Sequence, residues 1–376
     1  DDGLLIKNGT ITVTSADDGI RGKDYLVIQN GSIMLNVKGD GLKSDNETDA
    51  GAGFILIDSA AVKITSSCDA ISAIVNVVIN SGNFTLTSAG GVNGTYATSA
   101  KAIKGLSSVT INNGTFTISA PDDAIHSDNS VVINGGTIAI ATKDDAIHAN
   151  SSVVINDGSI NATQSYEAIE SASITINGGY ICMVTSDDGI NATRGSRTEM
   201  NDGSMATVNG GTLIINSSKG DPFDSNGNAA VTGGKIILQG PSSQPEVAID
   251  INGSFNISGG FFIASGPNSG NMIEGPSTSS VQYSIMAKTT ATVSSSTLFH
   301  IEDGYGNELV TFKPARTAYY FIFSSPLLTN GLSCSIYTGG TSTGTNTGGV
   351  YEGGIYSGGT LKKTFTISGK VTSVSF

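Results

Sequence analysis

One tetrapeptide returns at near-constant steps through the middle of the chain. It reads Asp122-Asp123-Ala124-Ile125, Asp144-Asp145-Ala146-Ile147, Tyr166-Glu167-Ala168-Ile169 and Asp187-Asp188-Gly189-Ile190, with steps of 22, 22 and 21 residues. A fixed period of this size points to a solenoid, in which each repeat is one coil stacked on the next. Between the tetrapeptides lie β-branched runs broken by Asn and Gly, such as Val131-Val132-Ile133-Asn134-Gly135-Gly136-Thr137-Ile138. Each coil is therefore built from short strands and tight turns.

The same grammar extends over residues 1–264. Tetrapeptide equivalents fall at 1–4, 17–20, 39–42, 68–71 and 100–103 before the central four, and at 220–223 and 246–249 after them. That makes about eleven coils. Turn glycines recur before the third strand, among them Gly9, Gly31, Gly114, Gly136, Gly158 and Gly260. Five apolar columns align, for example Ile125, Val131/Ile133 and Ile138/Ile140 in one coil with Ile147, Val153/Ile155 and Ile160/Ala162 in the next. Spacing of two puts both members on one strand face. Three short inward-facing strands per coil predict an all-β fold, a right-handed parallel β-helix filled by side chains, over 1–275. Asn80, Asn112, Asn134, Asn156, Asn177 and Asn209 share one turn and suit either an amide ladder or ordinary Asx turns. From about residue 276 the period is lost, and 276–376 reads as a β-rich C-terminal cap, with 338–359 a Gly/Thr/Ser-rich loop.

Four insertions, at 43–53, 88–99, 193–207 and 241–245, flank the tetrapeptide strand, as loops walling a groove would. Loop 43–53 carries Asp45, Glu47 and Asp49; loop 193–207 carries Arg194, Arg197, Glu199 and Asp202. The position before the inward Ile is always small, for example Gly19, Gly41, Ala70, Ala124, Ala146 and Ala168. Two explanations stand: alternation would make it a bare outward floor for an extended polymer, or small residues let the Asp turn form.

One position earlier runs an acidic column: Asp18, Asp40, Asp69, Asp123, Asp145, Glu167, Asp188 and Asp221, with Asp17, Asp122, Asp144 and Asp187 beside it. Coils about 4.8 Å apart make neighbouring carboxylates repel by about 3 kcal/mol at an effective dielectric near 20. Lys101 is placed to relieve this between Asp69 and Asp123. Elsewhere oxygen-rich sites favour a hard cation, and Ca²⁺ is the expected cofactor. Its expected ligands are Asp122, Asp123, Asp144, Asp145, Glu167, Asp187, Asp188, Asp17, Asp18 and Asp40, against the alternative of a solvated acidic edge. Lys101, Lys104, His126, His148, Tyr166, Glu170 and Arg194 are the expected substrate-binding residues, on or beside the same strip.

Net charge is −13, which argues against nucleic acid as a partner. No stretch approaches the roughly 18 apolar residues of a membrane span. Cys68, Cys182 and Cys334 match neither a disulfide framework nor a zinc pattern and read as buried free thiols. A monomer is expected.

The Asp-Asp-(Ala/Gly)-Ile coils with Ile-Asn-Gly-Gly turns resemble secreted clostridial-type carbohydrate-binding β-helix proteins, related in fold to pectate lyases. The resemblance covers about 1–275 strongly and the rest loosely. It implies bound Ca²⁺, secretion or cell-surface display, and affinity for acidic plant polysaccharide such as polygalacturonate and for cellulose-like glycans. Family 9 pectate lyases likewise carry calcium-binding Asp clusters with an Asp-Asp-Gly element, matching Asp187-Asp188-Gly189. Those enzymes use a Lys to take the C5 proton, and here Lys101, Lys104 and Lys143 are candidates by position only. Two activities remain: calcium-dependent binding without catalysis, and a calcium-dependent polysaccharide lyase working by β-elimination.

Overall fold

The computed structural model describes residues 2–96, 99–195 and 200–376. Asp1, Arg197 and Glu199 lie outside the described residues. The chain divides into two units, Asp1–Val184 with Asn191–Ser196, and Thr185–Ile190 with Arg197–Phe376. Among the described residues the only helical segments are two 3₁₀ turns, Gly91–Asn93 and Gly270–Met272. None is long and apolar enough to cross a membrane.

The first unit is a parallel β-helix. Each coil after the first contributes one strand to each of three parallel sheets; the first supplies Leu4–Ile6 and Thr10–Ser15 to two of them. In the central coil these are Ile125–Ser127 (sheet C), Ser130–Ile133 (sheet A) and Thr137–Thr142 (sheet B). Register keeps like residues together: Ile125 pairs with Ile147, Val131 with Val153, and Ile138 with Ile160. These side chains are at most 1% exposed, and burying each is worth about 1.5–3 kcal/mol. The apolar columns are thus the core.

The turns keep the strands short. Gly136 sits at φ +99°, in the left-handed region that favours glycine, and every third-strand turn glycine named above shares a positive φ. In the same turn the amide ladder forms: Asn112 Nδ2 donates to Asn80 Oδ1, Asn134 to Asn112, Asn156 to Asn134 and Asn177 to Asn156, at 2.7–2.8 Å.

The second unit begins with the same coil plan. Its strands include Phe223–Ser225, Asn228–Val231 and Lys235–Gln239, with Lys235–Gln239 paired in parallel to Phe261–Gly266. After Phe261–Gly266 the geometry changes. That strand pairs antiparallel with Ala318–Ser324, which also pairs antiparallel with Ser284–Val293. A six-stranded antiparallel sheet follows, in the order Thr345–Thr347, Val350–Glu352, Glu308–Phe312, Phe299–Asp303, Ser333–Ser342 and Tyr356–Thr366. The stretch 338–359 is therefore not the loop its composition suggests. Glycines at positive φ, such as Gly348 and Gly353, make its tight turns, and cross-strand pairing of Thr345 with Glu352 and Thr341 with Ser357 supplies its hydrogen bonds.

The three cysteines are free, but only Cys334 is buried; Cys68 and Cys182 are partly exposed.

Candidate functional site

The small column does not face solvent. Ala70, Ala102, Ala124, Ala146 and Ala168 are all fully buried. A Cβ on Gly41 would lie 2.4 Å from the Ala70 carbonyl oxygen and 2.5 Å from Ile64 Cγ2. The expectation of a bare outward floor is corrected: these residues are small because the turn packs against the core. Alternation misleads here because the strand starts only at the Ile, and Asp-Asp-Ala is a turn to which the period of two does not apply.

The acidic column is not a solvated edge either. Asp69, Asp123, Asp145 and Asp221 are 3–5% exposed and Glu167 is 8% exposed. Glu167 accepts from the Asn191 side-chain amide at 3.0 Å, whereas the aspartates of the column accept hydrogen bonds from the backbone of the next coil. Asp18 Oδ1 accepts from the Asp40 N–H at 2.9 Å, Asp40 from Asp69 at 3.0 Å, and Asp69 from Lys101 at 2.8 Å. Asp123 accepts from Asp145 at 3.2 Å and Asp145 from Glu167 at 3.3 Å. In the second unit Asp188 accepts from Asp221 at 2.7 Å, and Asp221 from Val247 at 2.6 Å. The column thus satisfies buried amides at a point where the strand ladder is interrupted.

A second column, three residues on, faces the first. Lys43 Nζ lies 2.9 Å from Asp40 and 3.1 Å from Asp18. His126 Nδ1 is 2.7 Å from Asp123, and His148 Nδ1 is 3.0 Å from Asp145 and 3.1 Å from Glu170. The two imidazoles stack, with centroids 5.0 Å apart. The histidines therefore align with the carboxylates, contrary to the all-oxygen environment inferred from the tetrapeptides. The signal was present as an acid followed three residues later by a base: Asp40/Lys43, Asp123/His126 and Asp145/His148.

Of its two expected partners, Lys101 reaches Asp123 with its ammonium but Asp69 only with its backbone, and Asp122 is added. Its backbone N–H meets Asp69, while its ammonium lies 2.6 Å from Asp122 and 3.0 Å from Asp123. Burial opposes the charge, but Asp123 and Asp122 outweigh it and hold the ammonium above the usual lysine range. Burial also works against ionised Asp123, yet His126 and Lys101 hold its carboxyl low. Asp145 goes the other way: burial pushes it up to about 7. His148 is pushed up to about 11, because Asp145 and Glu170 overcome the burial that disfavours its charge.

Among the described residues, three groups of acidic and histidine side chains have ligand atoms within 4.8 Å of one another: Asp122/Asp123/Asp144, Asp123/His126/His148 and Asp145/His148/Glu170. Only the first is all oxygen, and the Lys101 ammonium already sits against two of its members. Asp17, Asp18 and Asp40 lie apart from these groups, with Lys43 between Asp18 and Asp40. Asp187 and Asp188 belong to the second unit. There burial pushes Asp188 up to about 7 and Asp221 up to about 8.

Two of the clefts on the first unit are lined by expected site residues. One of about 470 Å³ is lined by Lys43, Asp45, Glu47, Asp69, Ser99 and Lys104 among others, so insertions 43–53 and 88–99 both reach it. Ser99 Oγ donates to Asp69 at 2.8 Å and Lys104 Nζ lies 3.7 Å from Asp69. The other, about 310 Å³, brings together His148, Asn150, Glu170 and Arg194. Tyr166 is 45% exposed and lines neither. Lys43, Asp69 and Ser99 line the larger cleft although none was among the expected ligands or substrate-binding residues; Asp69 stood only as a member of the acidic column.

Fold and site define an all-β, parallel β-helical protein with loop-walled, charged clefts beside its acidic column. A family model described as carbohydrate-binding domain-containing protein matches residues 1–146, the stretch that holds the larger cleft. That match supports carbohydrate binding. No curated protein and no solved structure gives a match.

Proposed function

We propose that the protein binds polysaccharide non-catalytically, with the cleft of about 470 Å³ as its principal site. The observation that carries this reading is the position of that cleft within the matched stretch, walled by two insertions and lined by paired lysines, carboxylates and serines. Such a lining supplies both donors and acceptors for sugar hydroxyls. The preferred ligand is an acidic polymer such as polygalacturonate, with some uronates set against Lys43 and Lys104 and others bridged through Ca²⁺ to Glu47 and the remaining carboxylate oxygens of the cleft. A bridging cation also reconciles a chain of net charge −13 with a polyanion. The protein acts outside the cell or at its surface, as a monomer.

A lyase needs a base whose pKa lies near the working pH. Lys43 and Lys101 are both held protonated by their carboxylate partners against the pull of burial, the wrong direction for that role. Lys143 donates to the Gly94 carbonyl at 2.8 Å.

The test is affinity electrophoresis of the whole chain through gels containing polygalacturonate. Retention with Ca²⁺ present, its loss on adding EDTA and its weakening in Lys104→Ala are expected. Free migration in every gel, or release of unsaturated product that stops in Lys101→Met, would overturn the reading.

A further inference from the structure

The six-stranded C-terminal sheet has two chemically different faces. Along Phe299–Asp303, Phe299 and Ile301 point with Phe312, Val310 and Ile336 into the core, all at 2% exposure or less. His300 points the other way. Register aligns it with Thr311 on one side and Tyr337 on the other, and aligns Thr311 with Tyr351. A row of aromatic and polar side chains therefore crosses the outer face, with His300 and Thr311 buried at its base and Tyr337 and Tyr351 half-buried.

Tyr356 completes the row. Its ring lies flat on the His300 imidazole, with centroids 3.8 Å apart and planes 11° apart. The imidazole lies against one face of the ring, and Tyr356 is only half-buried, so part of the ring still reaches solvent. Tyr337 stands beside it almost edge-on, 6.4 Å away at 64°. Both rings are fixed through their hydroxyls: Tyr356 donates to the Gly339 carbonyl at 2.9 Å, and Tyr337 to Glu302 at 2.7 Å. Below them Thr311 donates to Glu308 at 2.6 Å and contacts His300 Nδ1 at 2.7 Å. The result is a rigid aromatic platform with an upright wall and two carboxylates at its rim.

We propose that this face is a second polysaccharide-binding surface, for a neutral pyranose chain whose C–H face lies on Tyr356 while its hydroxyls donate to Glu302 and Glu308. Flat aromatic faces offer apolar area at low entropic cost, and carboxylates are strong acceptors for hydroxyl donors. Charge decides the class of sugar. His300 lies 3.6 Å from Glu302 and 3.7 Å from Glu308, but burial pushes its imidazole pKa down, so it does not neutralise them. A uronate here would meet like charge, whereas a neutral sugar would not. The site lies outside the family match, invokes no metal, and stands or falls independently of the cleft described above.

The experiment exploits the absence of tryptophan from the chain. Tyr356→Trp keeps a flat ring and makes it the only indole. Titrating that variant with cellohexaose should shift its emission to the blue and saturate. Wild-type protein should be retarded in hydroxyethylcellulose gels with EDTA present, conditions that abolish calcium-bridged binding. Tyr356→Ala should weaken cellohexaose binding by about tenfold or more, as loss of a central aromatic anchor does, while Tyr356→Phe stays near wild type. Silent emission together with free wild-type migration in the neutral gel would overturn the proposal. So would neutral-glycan retention undiminished in Tyr356→Ala.

Discussion

Replacing Lys101 by Met tests the charge logic of the acidic column most directly. The ammonium lies 2.6 Å from Asp122 and 3.0 Å from Asp123, with side-chain exposures of 13% for the lysine and 6% for each carboxylate. At an effective dielectric near 20 each contact is worth about 5–6 kcal/mol of gross Coulomb energy. Most of that is offset by desolvating three charges, so the net value of the pair is small. Removing one partner is different, because it leaves buried Asp122 with no cation opposite and Asp123 with His126 alone, a loss of about 3–5 kcal/mol. The stabilisation is present throughout the neutral range: the folded lysine pKa lies above its unfolded value, so the contribution fades only as alkaline pH passes the folded value. Urea unfolding of Lys101→Met at pH 7 in EDTA should show a loss of this size. Acidification should shrink the loss as the carboxylates protonate. Millimolar Ca²⁺ should shrink it too, since Asp122, Asp123 and Asp144 would then be free to bind a cation. A loss under about 1 kcal/mol, insensitive to pH and calcium, would show that the pair behaves as a solvated surface bridge and would refute the reasoning.

Two further outcomes follow from the buried column. Asp188 and Asp221 are raised to about 7 and 8, so the folded state keeps protons that the unfolded chain has released between about pH 4 and 8. Stability should therefore fall as pH rises through that window, by up to about 1.4 kcal/mol per pH unit for each retained proton; melting temperature against pH measures it, Asp221→Asn should flatten the slope, and a slope unchanged in that variant would contradict the assignment. Ala146→Leu, at a fully buried position, should cost about 1–3 kcal/mol through overpacking; a melting temperature equal to wild type would return the small column to the surface.

Much of the candidate site was legible once acid and base columns are taken together. Asp123 with His126 and Asp145 with His148 recur at a spacing of three, and the structure joins both pairs. What the tetrapeptides did not reveal is that the carboxylates also accept backbone N–H groups from the coil above, as Asp69 does from Lys101. That interaction links residues 32 apart across an irregular 88–99 insertion, so no local spacing encodes it. Tyr356 on His300 is harder still. The two residues lie on different strands, and their contact depends on how the Ser333–Ser342 and Tyr356–Thr366 hairpin folds against Phe299–Asp303.

The sequence by itself determined the solenoid: a repeat of about 22 residues stacks like on like, so Ile125 must meet Ile147, and Asn134 must meet Asn156. Stacking is the one long-range rule a periodic chain carries in its own spacing. Only the tertiary structure decided which way Ala124 points, which carboxylates hold Lys101, and that 338–359 pairs as strands. Those outcomes depend on turns, where alternation between faces breaks down, and on antiparallel partners brought together by folding rather than by a repeat. The physical reason is the same in each case: burial and pairing energies there are set by neighbours that no fixed interval along the chain identifies.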